Sequence, residues 1–146
     1  MLKDDKILCP CHCAVLRKAS RHVSQAYDLA LAPGGLKTTQ FSLLAAINHG
    51  GGECLTINEL AEVMVMDRST LGHNLRPLER NDLIIIETGR DDARRRRIRL
   101  TSKGRAKLKE AGKLWVRMQA RFESAFGAKA TANLRDALLT LATTKL

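Results

Sequence analysis

The sequence predicts a mainly α-helical fold that carries one β-hairpin, and three observations support this fold class. Apolar residues recur at steps of three and four along most of the 146 residues. Two short helix patterns are separated by a very tight turn around Val65 and Met66, which is typical of a helix-turn-helix motif. A branched apolar run over residues 83–86 precedes a stretch, Arg94 to Leu100, that can return antiparallel to it and so predicts the hairpin.

Two helices are expected before the motif. The first spans about residues 14–31, and Pro33 with the two glycines after it ends the pattern. The second begins near Thr38 or Thr39, either of which can cap it, and it runs to the glycines that follow His49.

Capping residues predict where each motif helix begins. Thr56 and Glu59 form a capping-box pattern, in which each side chain accepts a hydrogen bond from the other residue's backbone amide. Asp67 can cap the next helix. Pro77 lies inside that second helix and removes one backbone donor, so we expect a kink there.

Two further helices follow the hairpin. Thr101 can cap a long helix whose apolar residues repeat at close to 3.5 residues, a pattern that favours packing against a partner helix. Gly127 separates it from a last helix with leucines on one face. We therefore expect a single domain over residues 1–146. Residues 14–32 and 102–146 are expected to form a dimerisation region, and residues 38–100 a separate region with the helix-turn-helix motif and the hairpin.

The charge of the chain indicates a polyanionic partner. Its formal net charge is +10, and this excess must lie on the surface because isolated buried charges are costly. Nucleic acid and anionic membrane both fit. Because no stretch approaches the roughly 18 apolar residues of a membrane span and no signal-peptide pattern begins the chain, we expect a cytoplasmic protein without a membrane partner.

An arginine-rich segment favours nucleic acid over membrane. Six arginines lie within ten residues, namely Arg90, Arg94, Arg95, Arg96, Arg97 and Arg99. The segment is β-like, whereas membrane-surface binding uses a helix with a basic face and an exposed apolar face. Strand alternation sends these arginines to two sides of the hairpin, so they cannot all contact the same DNA.

The second motif helix carries the candidate base-reading residues, because the N-terminal part of such a helix enters the major groove. Its polar residues are Arg68, Ser69, Thr70, His73, Asn74 and Arg76. We expect an arginine to pair with guanine, Asn74 with adenine, and Ser69 or Thr70 to contact phosphate or base. A merely solvated helix face is the alternative, and the arginine-rich hairpin favours DNA over it.

The order of these elements resembles the MarR family of winged-helix regulators over nearly the whole chain. The most specific pieces are Leu60-Ala61, residues 67–71 (Asp-Arg-Ser-Thr-Leu), Leu78-Glu79, residues 92–94 (Asp-Ala-Arg) and residues 98–104 (Ile-Arg-Leu-Thr-Ser-Lys-Gly). The resemblance implies a homodimeric DNA-binding regulator, expected to be a repressor that binds a palindromic operator in double-stranded DNA. It also implies that Arg94 at the tip of the hairpin, or wing, enters the minor groove and that Asp92 orients it. Arg90 and Arg96 complete the predicted DNA-binding set.

An N-terminal cysteine cluster, Cys9, Cys11 and Cys13, suggests what the regulator senses. Cys13 and Tyr27 resemble the organic-hydroperoxide branch of the family, in which a cysteine opening the first helix reacts with peroxide. In that branch a tyrosine fourteen positions later hydrogen-bonds the thiolate, and a second tyrosine aligns near Thr38, where this chain has none. The resemblance implies oxidation at Cys13, and Cys9 or Cys11 is available to resolve the oxidised thiol.

Three alternatives stay open. In the first, the same regulator is controlled by a small phenolic ligand between its dimerisation and DNA-binding parts. In the second, it is controlled by zinc or copper(I) held by the cysteine cluster with His12. A non-specific architectural DNA-binding protein is the alternative of a different class. No nucleophile-and-base pair, paired carboxylates or phosphate-binding loop is evident, so we expect neither an enzyme nor a cofactor.

Overall fold

The computed structural model describes residues 11–50, 55–88 and 96–146. In chain order the elements are α1 (His12–Leu31), a short 3-10 turn (Ala32–Gly34), α2 (Thr38–His49), β1 (Leu55–Thr56), α3 (Ile57–Met64), α4 (Arg68–Arg80), β2 (Ile84–Thr88), β3 (Arg96–Leu100), α5 (Ser102–Phe126) and α6 (Ala128–Ala142). The predicted fold class, mainly α with a β-hairpin, is confirmed. Within the described ranges, no helix is both long and apolar enough to cross a bilayer.

Three helices begin at the predicted caps. The Thr56 hydroxyl accepts from the Glu59 amide at 3.1 Å, and the Glu59 carboxylate accepts from the Thr56 amide at 2.8 Å, which completes the capping box of α3. Asp67 caps α4 through the Thr70 amide at 2.7 Å, and Thr101 caps α5 through the Gly104 amide at 2.9 Å. Each cap satisfies an amide that has no partner inside its helix.

The predicted cap of α2 is wrong. Lys37, not Thr38 or Thr39, occupies the N-cap position, and Thr38 is already helical. The Thr38 amide donates to the Asp28 carboxylate on α1 at 2.7 Å, and the Lys37 amide donates to the Gln40 side chain at 2.9 Å. A carboxylate from another helix thus does the work that we had expected of a threonine hydroxyl.

Pro77 does not end α4, which continues to Arg80. The proline lies in the last turn of the helix, so its missing amide removes one hydrogen bond near an end where the helix stops in any case. Beyond it, the Asn81 amide donates to the Pro77 carbonyl at 3.1 Å and closes the turn toward β2. The N-terminal part of α4, which carries most of the candidate base-reading residues, lies ahead of the proline.

The three strands form one antiparallel sheet in the order β1-β3-β2. Ile86 pairs with Ile98 and Ile84 with Leu100, so the inner face of the hairpin is apolar. Ile84, Ile98 and Leu100 are buried. Strand β1 was not predicted, because two residues are too short to show an alternating pattern; its Leu55 lies opposite Ile98.

The hydrophobic core lies between the motif helices, α2 and the inner face of the sheet. Its largest fully buried side chains are Leu31, Leu43, Leu44, Leu60, Leu71, Leu75, Leu78, Ile84 and Ile98. Helix α5 is attached to this core by aromatic contacts: Trp115 stacks on Phe41 with ring centroids 6.0 Å apart, and Phe122 contacts Tyr27 of α1 at 6.5 Å. Helix α5 is therefore packed against both α1 and α2.

Candidate nucleic-acid interface

Helix α4 separates its apolar and polar residues onto opposite faces. Leu71, Leu75 and Leu78 are buried in the core, which fixes the rotation of the helix about its axis. The candidate base-reading residues Arg68, Ser69, Thr70, His73 and Arg76 are all exposed, and Asn74 is half-buried. The structure thus places the predicted set together on the outward side of one rigid helix, as base reading in a major groove requires.

Two of these side chains are engaged within the chain. The Thr70 hydroxyl donates to the Asp67 carboxylate at 2.9 Å, and the Asn74 amide nitrogen donates to the Thr70 carbonyl at 2.9 Å. The pKa of Asp67 is lowered, chiefly by the hydrogen bond from the Thr70 amide and then by that from the Thr70 hydroxyl. Asn74 must release its backbone contact before it can bind adenine with both amide atoms, whereas Arg68 and Arg76 have no hydrogen-bond partner among the described residues.

The turns on either side of α4 use left-handed backbone. Val65, between α3 and α4, has φ 50°, and Asp82, between α4 and β2, has φ 58°. Asp82 is a short polar residue, a type that tolerates this conformation better than most. Val65 is the strained position, because a branched side chain disfavours this region, and its side chain is 74% exposed. This strained turn sets the position of α4 against α3.

The described part of the wing splits its arginines between two sides of the sheet, as the alternation predicted. Ile98 points into the core, while Arg97 and Arg99 lie on the opposite face and Arg96 is exposed at the start of β3. Arg99 forms an ion pair with Glu87 on β2, with its NH2 nitrogen 2.9 Å from the Glu87 Oε1 atom. The candidates Arg90, Asp92 and Arg94 lie outside the described residues.

Comparisons with known proteins identify this arrangement. A sequence model of the MarR family matches residues 34–95. The chain is 40% identical to the transcriptional regulator MosR of M. tuberculosis, whose structure was solved in complex with DNA; the match covers 90% of this chain and 98% of MosR with a TM-score of 0.73. The chain belongs to the MarR family. It is accordingly a DNA-binding transcriptional regulator of the winged helix-turn-helix type.

Further MarR-family structures share the fold. The repressor CouR, from Rhodococcus jostii and solved on a 23-mer DNA duplex, is 28% identical over 88% of this chain and 89% of its own, with a TM-score of 0.78. A mutant of E. coli MarR in complex with operator DNA is 20% identical over 88% and 91%, with a TM-score of 0.77, and shows the fold alone. A comparison with curated proteins found no match.

The N-terminal end of α1 carries the cysteines that the structure describes. Cys11 is the N-cap residue of α1, Cys13 is the second residue of the helix, and both are free and exposed. Cys9 lies outside the described residues. Within those residues, no three His, Cys, Asp or Glu side chains are grouped closely enough to hold a metal ion.

Tyr27 is far from Cys13 within one chain. Both residues belong to the continuous helix α1, and fourteen residues at 1.5 Å each separate them by about 21 Å along its axis. The Tyr27 hydroxyl instead donates to the Gln119 side chain of α5. Burial, and then the nearby Glu123 carboxylate, raises the pKa of Tyr27, so the phenol stays protonated. Any contact between Tyr27 and a Cys13 thiolate is therefore one between two subunits.

Helices α1 and α6 leave an apolar surface uncovered. Val15 and Leu16 on α1 are exposed, as are Leu134, Leu138, Leu139 and Leu141 on α6. An open groove of about 680 Å³ runs between these helices. Exposed leucines at helical spacing on a terminal helix indicate a surface that packs against another helix.

A smaller cavity lies between the core and the start of α5. It has a volume of about 280 Å³ and is lined by Leu36, Gln40, Leu78, Asn81, Lys103 and Lys107, among others. The Lys103 ammonium donates to the Asn81 carbonyl at 3.0 Å, just beyond the end of α4. An occupant of this cavity would touch both the recognition helix and α5.

Proposed function

We propose that the protein is a homodimeric repressor that binds a palindromic operator and leaves it when Cys13 is oxidised. The observation that carries the proposal is the position of Cys11 and Cys13 on α1. Both thiols are exposed at one end of the helix that also presents the uncovered Val15 and Leu16. A change at these cysteines thus acts on the surface through which we propose that two subunits pair.

The proposed DNA contact uses both recognition helices and both wings of the dimer. Arg68, Ser69, His73 and Arg76 reach base edges from α4, with Thr70 and Asn74 positioned beside them. Arg96, with Arg90 and Arg94, contacts phosphates and the minor groove from the wing, and Asp92 orients Arg94. The two-fold axis of the dimer then demands an operator with two half-sites about one helical turn apart.

The proposed oxidation is a two-electron step by a hydroperoxide. The Cys13 thiolate attacks the outer peroxide oxygen, the O–O bond breaks, and the alkoxide leaves and takes up a proton as an alcohol. Cys13 is then a sulfenic acid. The Cys11 thiol attacks its sulfur, which forms the disulfide and releases water. Because residues two apart on a helix point away from each other, this disulfide requires the first turn of α1 to unwind.

The test compares operator affinities by fluorescence anisotropy at fixed salt. The probe is the palindrome that the protein itself selects from a random duplex library, with a scrambled duplex as the specificity control. Treatment of the reduced protein with cumene hydroperoxide is expected to weaken binding by about tenfold or more, and dithiothreitol to restore it. Cys13→Ser must bind as tightly as the reduced protein and not respond. Cys54→Ser, which removes the one cysteine outside the N-terminal cluster, is the matched control and is expected to respond normally.

Two results would reject parts of the proposal. Equal affinity for the palindrome and the scrambled duplex would make the protein an architectural DNA-binding protein. Equal release of the wild type and Cys13→Ser by oxidant would remove Cys13 as the sensor. The first result would reject sequence-specific binding by the helix-turn-helix. The second would reject only the redox regulation by Cys13.

A small anionic ligand is the second candidate signal, and the cavity beside α5 favours it. Lys103 and Lys107 supply positive charge, and Leu36, Leu78 and Leu83 supply an apolar wall that suits an aromatic carboxylate. The relative CouR has been solved with p-coumaroyl-CoA, which shows that a regulator of this fold binds an aromatic acid derivative. Release of operator by phenolic acids, abolished in Lys107→Gln but not in Cys13→Ser, would identify this mode of control.

A further inference from the structure

The net positive charge of the chain lies mostly outside the DNA-reading elements. Residues 38–100, which include the motif and the wing, contain nine arginines and nine acidic residues, so that region has no net charge. Residues 101–146 contain ten basic residues and three acidic ones, and they account for seven of the ten net positive charges. The net positive charge that predicts a polyanionic partner therefore lies mostly in the region of α5 and α6.

Helix α5 gathers much of this charge in one row. Lys109, Lys113, Arg117 and Arg121 follow one another at steps of four residues, about 6 Å apart along the axis. All four are exposed, and among the described residues none of them has a hydrogen-bond or ion-pair partner. Glu110 is the one acidic residue on this side of the helix.

Lys109, Lys113 and Arg117 lie on the side of α5 away from its packed face, and the row turns by about 40° at each step, which brings Arg121 to the edge of that side. Gly104, Ala111 and Met118 are buried toward the core and α1, and a helical wheel places Lys113 on the far side from them. Like charges four residues apart destabilise a helix. Three successive repulsions of this kind are a cost to the fold, and Glu110, three residues before Lys113, offsets only part of it.

We propose that the outer face of α5, defined by Lys109, Lys113, Arg117 and Arg121, is a second binding surface for the phosphate backbone of duplex DNA. It is independent of base sequence, separate from the helix-turn-helix, and does not require the redox control proposed above. Four cations over about 18 Å match a regularly spaced row of phosphates. A membrane is the weaker fit, because Phe122 and Trp115 of α5 pack against α1 and α2, and the exposed Val116 and Phe126 lie ten residues apart without forming a continuous apolar face.

The DNA at this surface has two possible sources. Helix α5 begins directly after β3 and runs about 37 Å away from the wing. The row therefore meets either the flanks of a bound operator that bend toward it or a second duplex. Both present the same phosphate chemistry, and the lengths of the DNA fragments distinguish them.

The experiment uses the full-length protein and a quadruple variant, Lys109→Gln, Lys113→Gln, Arg117→Gln and Arg121→Gln. A control variant removes four charges from exposed scattered positions, Lys18→Gln, Lys37→Gln, Lys129→Gln and Lys145→Gln. Binding is measured to an operator duplex that covers only the half-sites and to one extended on both sides. A third assay asks whether protein saturated on immobilised short operator captures a labelled unrelated duplex.

On the short operator, the two variants are expected to bind equally well. In the extended-fragment or capture assay, the quadruple variant is expected to bind about tenfold or more weakly than the control, with a salt slope shallower by about 3 to 4, or 0.9 for each lost phosphate contact. Loss with the extended fragment identifies flanking DNA, and loss in the capture assay identifies a second duplex. Lys109→Arg with Lys113→Arg keeps the charge and must retain binding.

Equal affinities of the quadruple and control variants in both long-DNA assays would overturn the proposal. The four basic side chains of α5 would then contribute only through the net charge of the protein. A quadruple variant that loses binding to phosphatidylserine vesicles, with both DNA assays unchanged, would overturn it in favour of a membrane surface.

Discussion

The Asp67 carboxylate accepts two hydrogen bonds from Thr70, one from its amide at 2.7 Å and one from its hydroxyl at 2.9 Å. This pair fixes the first turn of the recognition helix and directs the Thr70 hydroxyl proton toward the Asp67 carboxylate. In the proposed DNA contact Thr70 is therefore an acceptor or contributes its methyl group, whereas the Ser69 hydroxyl, which has no hydrogen-bond partner among the described residues, is available as a donor. Because the Asp67 carboxylate can be protonated, the contribution of this cap to stability depends on pH.

We predict that Asp67→Asn lowers the free energy of unfolding at neutral pH and that the difference from wild type shrinks in acid. The pKa of Asp67 is lowered in the folded state, so its contribution is present above the ordinary value of 3.8 and is lost as pH falls through the lowered pKa. Urea denaturation followed by circular dichroism at about pH 7 and about pH 3 measures it. Thr70→Val keeps the amide bond and must show a smaller effect. A difference that stays constant with pH would contradict the cap's ionic character.

The exposed arginines of α4 are predicted to determine sequence preference. Arg68→Ala or Arg76→Ala is expected to weaken operator binding by about 1 to 3 kcal/mol and to make binding indifferent to the base pair at one operator position. Anisotropy on a set of single-base operator variants measures both effects.

Arg80→Ala is the matched control for these arginines. Arg80 is an exposed arginine in the last turn of α4, about 18 Å along the axis from Arg68. Its loss is expected to weaken binding equally to every operator variant or not at all. If Arg68→Ala and Arg76→Ala behaved like Arg80→Ala, these side chains would contact phosphate only.

Elements whose determinants are local were predictable from the sequence. Thr56 with Glu59, Asp67 with Thr70 and Thr101 with Gly104 each form their capping bonds across three residues, so the pattern of residue types was sufficient. The alternation of the wing was predictable for the same reason, because a strand's two faces follow from its sequence alone.

Features that depend on distant partners were not predictable. The beginning of α2 depends on Asp28, ten residues away from Thr38. The ion pair of Arg99 depends on the hairpin register, which brings Glu87 beside it. The engagement of Tyr27 depends on Gln119, 92 residues later in the chain. For Arg99 and Tyr27 the side chain itself suggested a function, and only the tertiary structure showed that it was already engaged.

The turn of the helix-turn-helix motif is predicted to store backbone strain at Val65. Val65→Gly is expected to raise the free energy of unfolding by about 0.5 to 1 kcal/mol, because left-handed backbone costs a side chain about 1 to 2 kcal/mol and glycine's greater unfolded-state entropy takes part of that back. Val63→Gly is the control: it is 65% exposed within α3, and glycine there is expected to lower stability by about 0.5 kcal/mol. If urea denaturation showed that Val65→Gly lowers the free energy of unfolding as Val63→Gly does, the left-handed backbone at Val65 would not be strained.

The last prediction concerns the joint between the wing and α5, where Gly104 lies against the backbone of Leu83. A Cβ atom at Gly104 would lie 2.0 Å from the Leu83 carbonyl oxygen, and this same oxygen accepts from the Thr101 amide at 3.0 Å. Because backbone cannot give way as a flexible side chain does, Gly104→Ala must push α5 from the sheet. We expect it to lower the free energy of unfolding by about 3 kcal/mol.

Gly112→Ala provides the comparison on the same helix, since no atom lies within 4 Å of its added Cβ. Alanine there is expected to stabilise α5 by up to about 1 kcal/mol through helix propensity alone. Urea denaturation of the two variants, with operator anisotropy beside it, separates packing from propensity. Because Leu83 directly follows the turn that ends α4, Gly104→Ala is also expected to weaken operator binding, whereas Gly112→Ala leaves it unchanged. A Gly104→Ala protein as stable as wild type would show that the close contact between α5 and Leu83 does not contribute to stability.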